Sequence, residues 1–184
     1  MGGPMKHSET GVTLIEVMIS SFFLTVALLA VAMAMGQGIA ATYTTQEQLI
    51  AKQKAQEALE SVIMARNTQE IGFAQIQSTA NGGIFLSGYQ PIESMGVDGI
   101  PNTADDAGPL ESITYPGPDG ILGNSDDVTV SLTGYKRQIT ISTITLPNDT
   151  SVDPDIRQVD VDVQYVVRGV TKSVRVSTLV SRYS

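Results

Sequence analysis

The sequence predicts an α+β fold in which one long N-terminal α-helix, half membrane-spanning and half amphipathic, packs on a C-terminal antiparallel β-sheet. Three observations predict it. Val17 to Met35 reads VMISSFFLTVALLAVAMAM, 19 residues without a charge, enough to cross a hydrocarbon core as a helix. Beyond that run, Ala51, Ala55, Ala58, Val62 and Ala65 recur at spacings of four, three, four and three, which is one face of a helix. Late in the chain, apolar and polar residues alternate strictly, the period of half-buried strands.

Taken in order, nothing from Val12 to Arg66 demands a helix break: the interval holds no Pro, and Gly36 and Gly38 are its only glycines. A helix of that length would run roughly 80 Å at 1.5 Å per residue. Gln53, Glu57 and Glu60 lie opposite the small-residue stripe, so the stripe should cover a globular head. Leu49, Ile50 and Met64 fall off the stripe and are expected to face neighbouring molecules. A coiled coil is the competing reading, but the stripe is Ala-rich and short. The head should begin near Asn67, with a short helix over Glu70 to Gln77, a turn at Asn81-Gly82-Gly83 and a strand starting at Ile84-Phe85-Leu86. Tyr135, Arg137, Ile139 and Ile141 then alternate with Lys136, Gln138 and Thr140. Val159, Val161, Val163, Tyr165 and Val167 form a second alternating run, and Val174, Val176, Thr178 and Val180 a third. Arg168-Gly169 suits a hairpin between the last two. The antiparallel sheet is placed over 129–184, with its strand order left open.

Composition narrows the function. The 184 residues suit one modest domain beyond the apolar helix. There is no Cys, and the one His is His7. With no thiol nucleophile and no His beyond position 7, the usual nucleophilic and zinc chemistries lack their residues; the chain reads as a non-enzyme. The net charge of −8 opposes binding to phosphate backbones, which rests on Lys and Arg, so nucleic acid is not an expected partner. Lys6 precedes the apolar run and the next basic residue is Lys52, which places the N-terminus in the cytoplasm and the head outside.

Between Arg66 and Lys136 there is no Lys or Arg, yet nine carboxylates: Glu70, Glu93, Asp98, Asp105, Asp106, Glu111, Asp119, Asp126 and Asp127. Within an acidic loop over 93–128 a pattern repeats. Asp98-Gly99-Ile100-Pro101-Asn102-Thr103-Ala104-Asp105-Asp106 is followed by Asp119-Gly120-Ile121-Leu122-Gly123-Asn124-Ser125-Asp126-Asp127. Two readings stand side by side. In one, Asp98, Asn102, Asp105, Asp106, Asp119, Asn124, Asp126 and Asp127 supply oxygens to calcium, which takes six to eight of them, although the spacing fails the EF-hand pattern. In the other, Asp-Gly, Asn and Pro are turn residues on a solvated loop.

Glu16 stands at the head of the apolar run, in Gly11-Val12-Thr13-Leu14-Ile15-Glu16. A carboxylate left unpaired at the edge of a membrane span costs a few kcal/mol, so it calls for a partner. No cation lies within the run. Here the chain resembles the type IV pilins and the pseudopilins of type II secretion, whose leader motif is Gly, a hydrophobic residue (usually Phe), then Thr-Leu-Ile-Glu before a long apolar helix. Gly11, Thr13, Leu14, Ile15 and Glu16 match; Val12 stands where Phe is commoner. The resemblance implies a pilin-like fold, a leader peptide over 1–11, a helix over 12–66 that spans the membrane at about 14–35, and a head over 67–184. It implies cleavage between Gly11 and Val12 by a prepilin peptidase and methylation of the new amino terminus at Val12. It further implies that Glu16 pairs with the terminal amine of an adjacent subunit. The expected partners are other pilin or pseudopilin subunits, the inner-membrane assembly platform and, before assembly, membrane lipid. The segment Ala55-Gln56-Glu57-Ala58-Leu59-Glu60, and Met33 near the place of a helix-breaking Pro common in major subunits, resemble the minor-subunit branch. Many members carry a C-terminal disulfide, which this chain lacks.

Two alternatives compete. A removable secretory signal could be cut near Ala30-Val31-Ala32 or Ala32-Met33-Ala34, but the apolar run exceeds the usual 7–15 residues of a signal core and opens on a carboxylate. A membrane-tethered, calcium-dependent binding protein or adhesin that does not polymerise would explain the span and the acidic loop, but not Glu16.

Overall fold

The computed structural model describes residues 13–145 and 151–183. Gly11 and Val12 therefore lie outside the described residues. The chain divides into two compact units, residues 1–44 and 45–184, and a single helix, α1 (Leu14–Asn67), runs through the division.

In the first unit, large apolar side chains are exposed all round the helix from Leu14 to Tyr43. Its hydroxyls turn inward on the helix's own backbone: Ser21 Oγ donates to the Met18 carbonyl at 2.9 Å and Thr25 Oγ1 to the Ser21 carbonyl at 2.8 Å. Such back-bonding keeps a polar group satisfied where water is absent. By length and composition this helix can cross a membrane once.

The second unit contains the remainder of α1 and the head. Ala51, Ala55, Ala58, Val62 and Ala65 are all buried, joined by Lys54 and Leu59 on the same face. The helix residues other than Lys54 share one hydrophobic core with Val159, Val161, Val163, Tyr165 and Val180 of the sheet. The small side chains of this face are wholly covered: Ala51, Ala55 and Ala58 have no exposed surface. Ile50 packs partly against this core, whereas Leu49 and Met64 remain exposed. The helix ends because Gln69 takes a left-handed φ of 61°. The Glu70 amide then bonds the Ala65 carbonyl at 2.9 Å and the Gln69 amide the Arg66 carbonyl at 3.2 Å, the pairing of a Schellman stop.

The short helix expected over Glu70 to Gln77 is only a 3-10 turn, Phe73–Gln75. Ile71, Phe73 and Ile76 are each buried, so the segment spends its apolar residues as separate anchors instead of a helical face. Arg157 fastens it, with its guanidinium 4.3 Å from the Phe73 ring centroid and donating to the Phe73 and Ile76 carbonyls at 2.5 and 2.7 Å. A second 3-10 turn follows at Thr79–Asn81. No strand starts at Ile84; Phe85 is fully buried and makes only an isolated bridge to Ser78.

The strands are β1 (Gln90–Pro91), β2 (Ser112–Tyr115), β3 (Val128–Ser131), β4 (Lys136–Thr145), β5 (Val152–Val167) and β6 (Val170–Ser181). The main sheet runs β1-β4-β5-β6, with every pairing antiparallel. Contrary to the expectation of one sheet over 129–184, β3 leaves it and pairs with β2 in a separate hairpin. Arg168 and Gly169, at φ 52° and 77°, close the β5–β6 hairpin; two left-handed residues give the turn whose twist matches the strands. Alternation then places Val159, Val161, Val163 and Tyr165 toward the helix and Asp160, Asp162 and Gln164 away from it. Tyr135 stacks on Tyr165 with centroids 6.0 Å apart, and its hydroxyl donates to the Glu47 carboxylate of α1.

Candidate functional site

Two regions hold the residues singled out by the sequence. The first is the start of α1. The Thr13 carbonyl accepts the Glu16 and Val17 amides at 3.0 and 3.2 Å, which fixes Glu16 in the first helical turn. A carboxylate there faces the positive end of the helix dipole. Its side chain is exposed, and among the described residues it has no hydrogen bond or ion pair. The helix therefore leaves the acid available to a group outside the described chain.

The second region is the acidic lobe between β1 and β4. Its sequence repeat is also a conformational repeat. Asp98 Oδ1 accepts the Ile100 amide and Asp119 Oδ1 the Ile121 amide, both at 2.8 Å. Asp106 Oδ2 accepts the Asn102 amide and Asp127 Oδ2 the Gly123 amide, both at 2.6 Å. The Gly99 amide bonds the Gly96 carbonyl at 3.2 Å, and Gly120 bonds Gly117 at 3.0 Å. A side chain at Gly96 would collide with Asp105, and one at Gly117 with Asp126. Each loop thus closes on itself, with carboxylates aimed at backbone N–H groups that would otherwise be orphaned.

These bonds set the charges. Asp105 is held below the ordinary carboxylate value by the Thr103 hydroxyl, which donates to Oδ1 at 2.6 Å, and by the Asp98 amide. Asp98 is pushed up by burial, with Asp105 and Asp106 adding to the effect. Among the described residues no three Asp, Glu or His side chains converge in a way that could hold a metal ion. One acceptor is left over: Asp127 Oδ1 is buried without a hydrogen-bond partner.

The two loops differ in their surroundings. In the first, Ile100, Pro101, Asn102 and Thr103 are buried. Asn102 is the anchor: its Oδ1 accepts Arg137 Nε at 2.9 Å, its Nδ2 donates to the Arg137 carbonyl at 3.1 Å, and its own carbonyl accepts the Leu86 amide at 2.8 Å. In the second loop Ile121 and Leu122 are 62% and 60% exposed, and nearly every neighbour is exposed with them.

Counter-ions for the lobe come from outside it. Lys54 on α1 binds Glu111 at 2.5 Å and Glu57 at 2.8 Å. Burial pulls the Lys54 amine down, but hydrogen bonds and charge from Glu111 and Glu57 outweigh it, and the net shift is upward. Arg137, 1% exposed, is drawn down by burial against the fields of Glu111, Asp106 and Glu57. Sequence reasoning passed over both residues. The signal for Arg137 was a cation in the inward register of an alternating strand, which requires a buried partner.

No family model, no curated protein and no solved structure matches the chain.

Proposed function

We propose that this chain is a structural filament subunit of the minor pilin or pseudopilin type. A prepilin peptidase cuts between Gly11 and Val12, the new terminus at Val12 is methylated, and the apolar part of α1 holds the subunit in the inner membrane. An assembly platform then draws it into a type IV pilus or a type II secretion pseudopilus. The apolar helices exchange lipid for one another, and Glu16 sets the axial register against a terminal amine. The observation that carries this reading is the helix start: an apolar stretch with no buried residue, opened by a carboxylate that has no partner among the described residues. A simple membrane tether needs the first feature and not the second.

The test is Glu16→Ala in the full chain. Membrane insertion should persist, since removing a charge only eases burial in lipid, while the amount of this chain in sheared filaments should fall to background. Unchanged recovery in filaments would overturn the proposal. Absence from filaments in both wild type and variant would favour the non-polymerising tether.

Calcium binding by the acidic loops is a further proposal, supported by the oxygen-bearing side chains repeated in both and by the unpartnered Asp127 Oδ1, whose Oδ2 accepts the Asn124 amide while Asn124 Nδ2 donates to Asp119. Since no three acidic side chains converge among the described residues, the ion would have to draw them together. Calorimetric titration of the full chain in detergent micelles should give a calcium heat that Asp127→Asn removes. No heat at millimolar calcium would dispose of it.

A further inference from the structure

The duplicated loop poses a physical question. Two segments of one conformation differ in that the first buries Ile100 in the head while the second holds Ile121 and Leu122 in water. Exposing two adjacent large aliphatic side chains at the tip of a charged loop forfeits the stabilisation that burial would supply, roughly 1.5–3 kcal/mol for each side chain fully buried. The first loop shows what such a loop sits against: apolar side chains and an arginine whose Nε is met by Asn102. Gly123 takes that place in the second loop, which leaves its carboxylates and backbone carbonyls as the acceptors it can offer.

Among its described residues the head has a surface of that kind. Between the end of α1 and β6 lies a groove of about 300 Å³ lined by Ile63, Arg66, Asn67, Thr178, Leu179 and Val180. Arg66 Nε is buried there with no hydrogen-bond partner, while Nη2 of the same group bonds the Arg182 carbonyl at 2.6 Å. The groove flanks β6, an edge strand of 12 residues paired without a register break to β5. Of the four cations from Arg168 to Ser184, Arg175 and Arg182 pair with Asp162 and Asp155, and Arg168 and Lys172 lie at the hairpin end of β6, so the cation that lines the groove itself is Arg66. The lobe, in contrast, is fastened to the opposite side of the sheet through Asn102 and Arg137 of β4. The lobe therefore offers carboxylates and apolar side chains, and the groove offers apolar side chains and one guanidinium with an unsatisfied Nε.

We propose that the second acidic loop, residues 117–127, docks into the groove between the end of α1 and β6 of a second copy of this chain. Ile121 and Leu122 enter the apolar groove against Ile63 and Val180, with Leu179 at its rim, and an oxygen of the loop satisfies Arg66 Nε. Such a contact joins two different surfaces, so it leaves a free loop and a free groove on every pair and continues as an open array. It concerns the head alone and goes beyond the filament reading: a Glu16→Ala chain that fails to enter filaments should still make it.

The chain has no Cys, so introduced thiols are unique. Full-length Ser125→Cys and Asn67→Cys chains are mixed in detergent micelles and treated with a short bis-maleimide. The expected result is a heterodimer in the mixture, no dimer from either chain alone, and a ladder of multimers from the double variant. Leu122→Asp, at an exposed position that leaves the thermal unfolding of the head unchanged, should abolish the heterodimer, and raising the salt should reduce it. Dimers from Ser125→Cys alone would mean that loop meets loop and would overturn the proposal. A heterodimer yield equal to that of Ser125→Cys with Thr140→Cys, on the far strand β4, would overturn it too, as would a yield indifferent to Leu122→Asp.

Discussion

Arg137 and Asn102 illustrate how single residues hold this head together. A guanidinium in the core register of a strand costs several kcal/mol of desolvation unless its donors are met; Asn102 Oδ1 meets the Nε donor, and Asn102 Nδ2 ties the same residue's backbone carbonyl. Asn102→Ala should therefore destabilise the head by about 1.5–3 kcal/mol, the range for a hydrogen bond to a charged group, as read from denaturant unfolding of the full chain in micelles. Lys54 and Tyr135 carry a prediction about pH. The Lys54 amine is raised above its ordinary 10.5. The Tyr135 hydroxyl is raised above 10.0 by burial and by its bond to Glu47. A group whose value rises on folding contributes stability that is complete below its unfolded value and is lost as pH climbs toward the folded one. The head should thus lose thermal stability from about pH 10 upward. The combined Lys54→Met and Tyr135→Phe variant should show a flatter alkaline decline. An equally steep decline in that variant would place the alkaline weakness elsewhere.

At the scale of elements, the helix and the long strands were legible because each repeats its own period against one core. The stripe Ala51, Ala55, Ala58, Val62 and Ala65 is the buried face of α1, and Val159 to Val167 is the inward face of β5. The close fit of small residues predicts that Ala58→Leu, which forces a branched side chain between helix and sheet, costs about 1–3 kcal/mol. The same change at the exposed Met64 should be neutral. Melting curves of the two variants check this. The acidic lobe was legible as a repeat but not as a packed object. Its anchoring rests on Asn102 meeting a strand 35 residues away and on Lys54 reaching Glu111 57 residues away; no local period encodes contacts of that separation. The turn at Phe73–Gln75 was hidden for a related reason. Ile71, Phe73 and Ile76 are spaced closely enough to suggest a helix, but Ile71 and Ile76 enter the common core while the Phe73 ring lies against the guanidinium groups of Arg157 and Arg182.

For the whole molecule, one helix does two jobs. Within residues 45–184 it covers a sheet and supplies Lys54 to an acidic lobe; within the described part of residues 1–44 its apolar surface is uncovered. A surface of that size does not remain in water, so membrane lipid or other helices must cover it. That requirement, joined to the lone acid at position 16, underlies the proposal of a subunit that stores in a membrane and assembles from it. Mass spectrometry of the mature protein recovered from membranes and from sheared filaments tests the claim most directly. The account predicts a chain that begins at Val12, carries one methyl group on its terminal amine and retains Glu16. A mature chain beginning downstream of Met35 would contradict it, since both the apolar helix and its carboxylate would be gone.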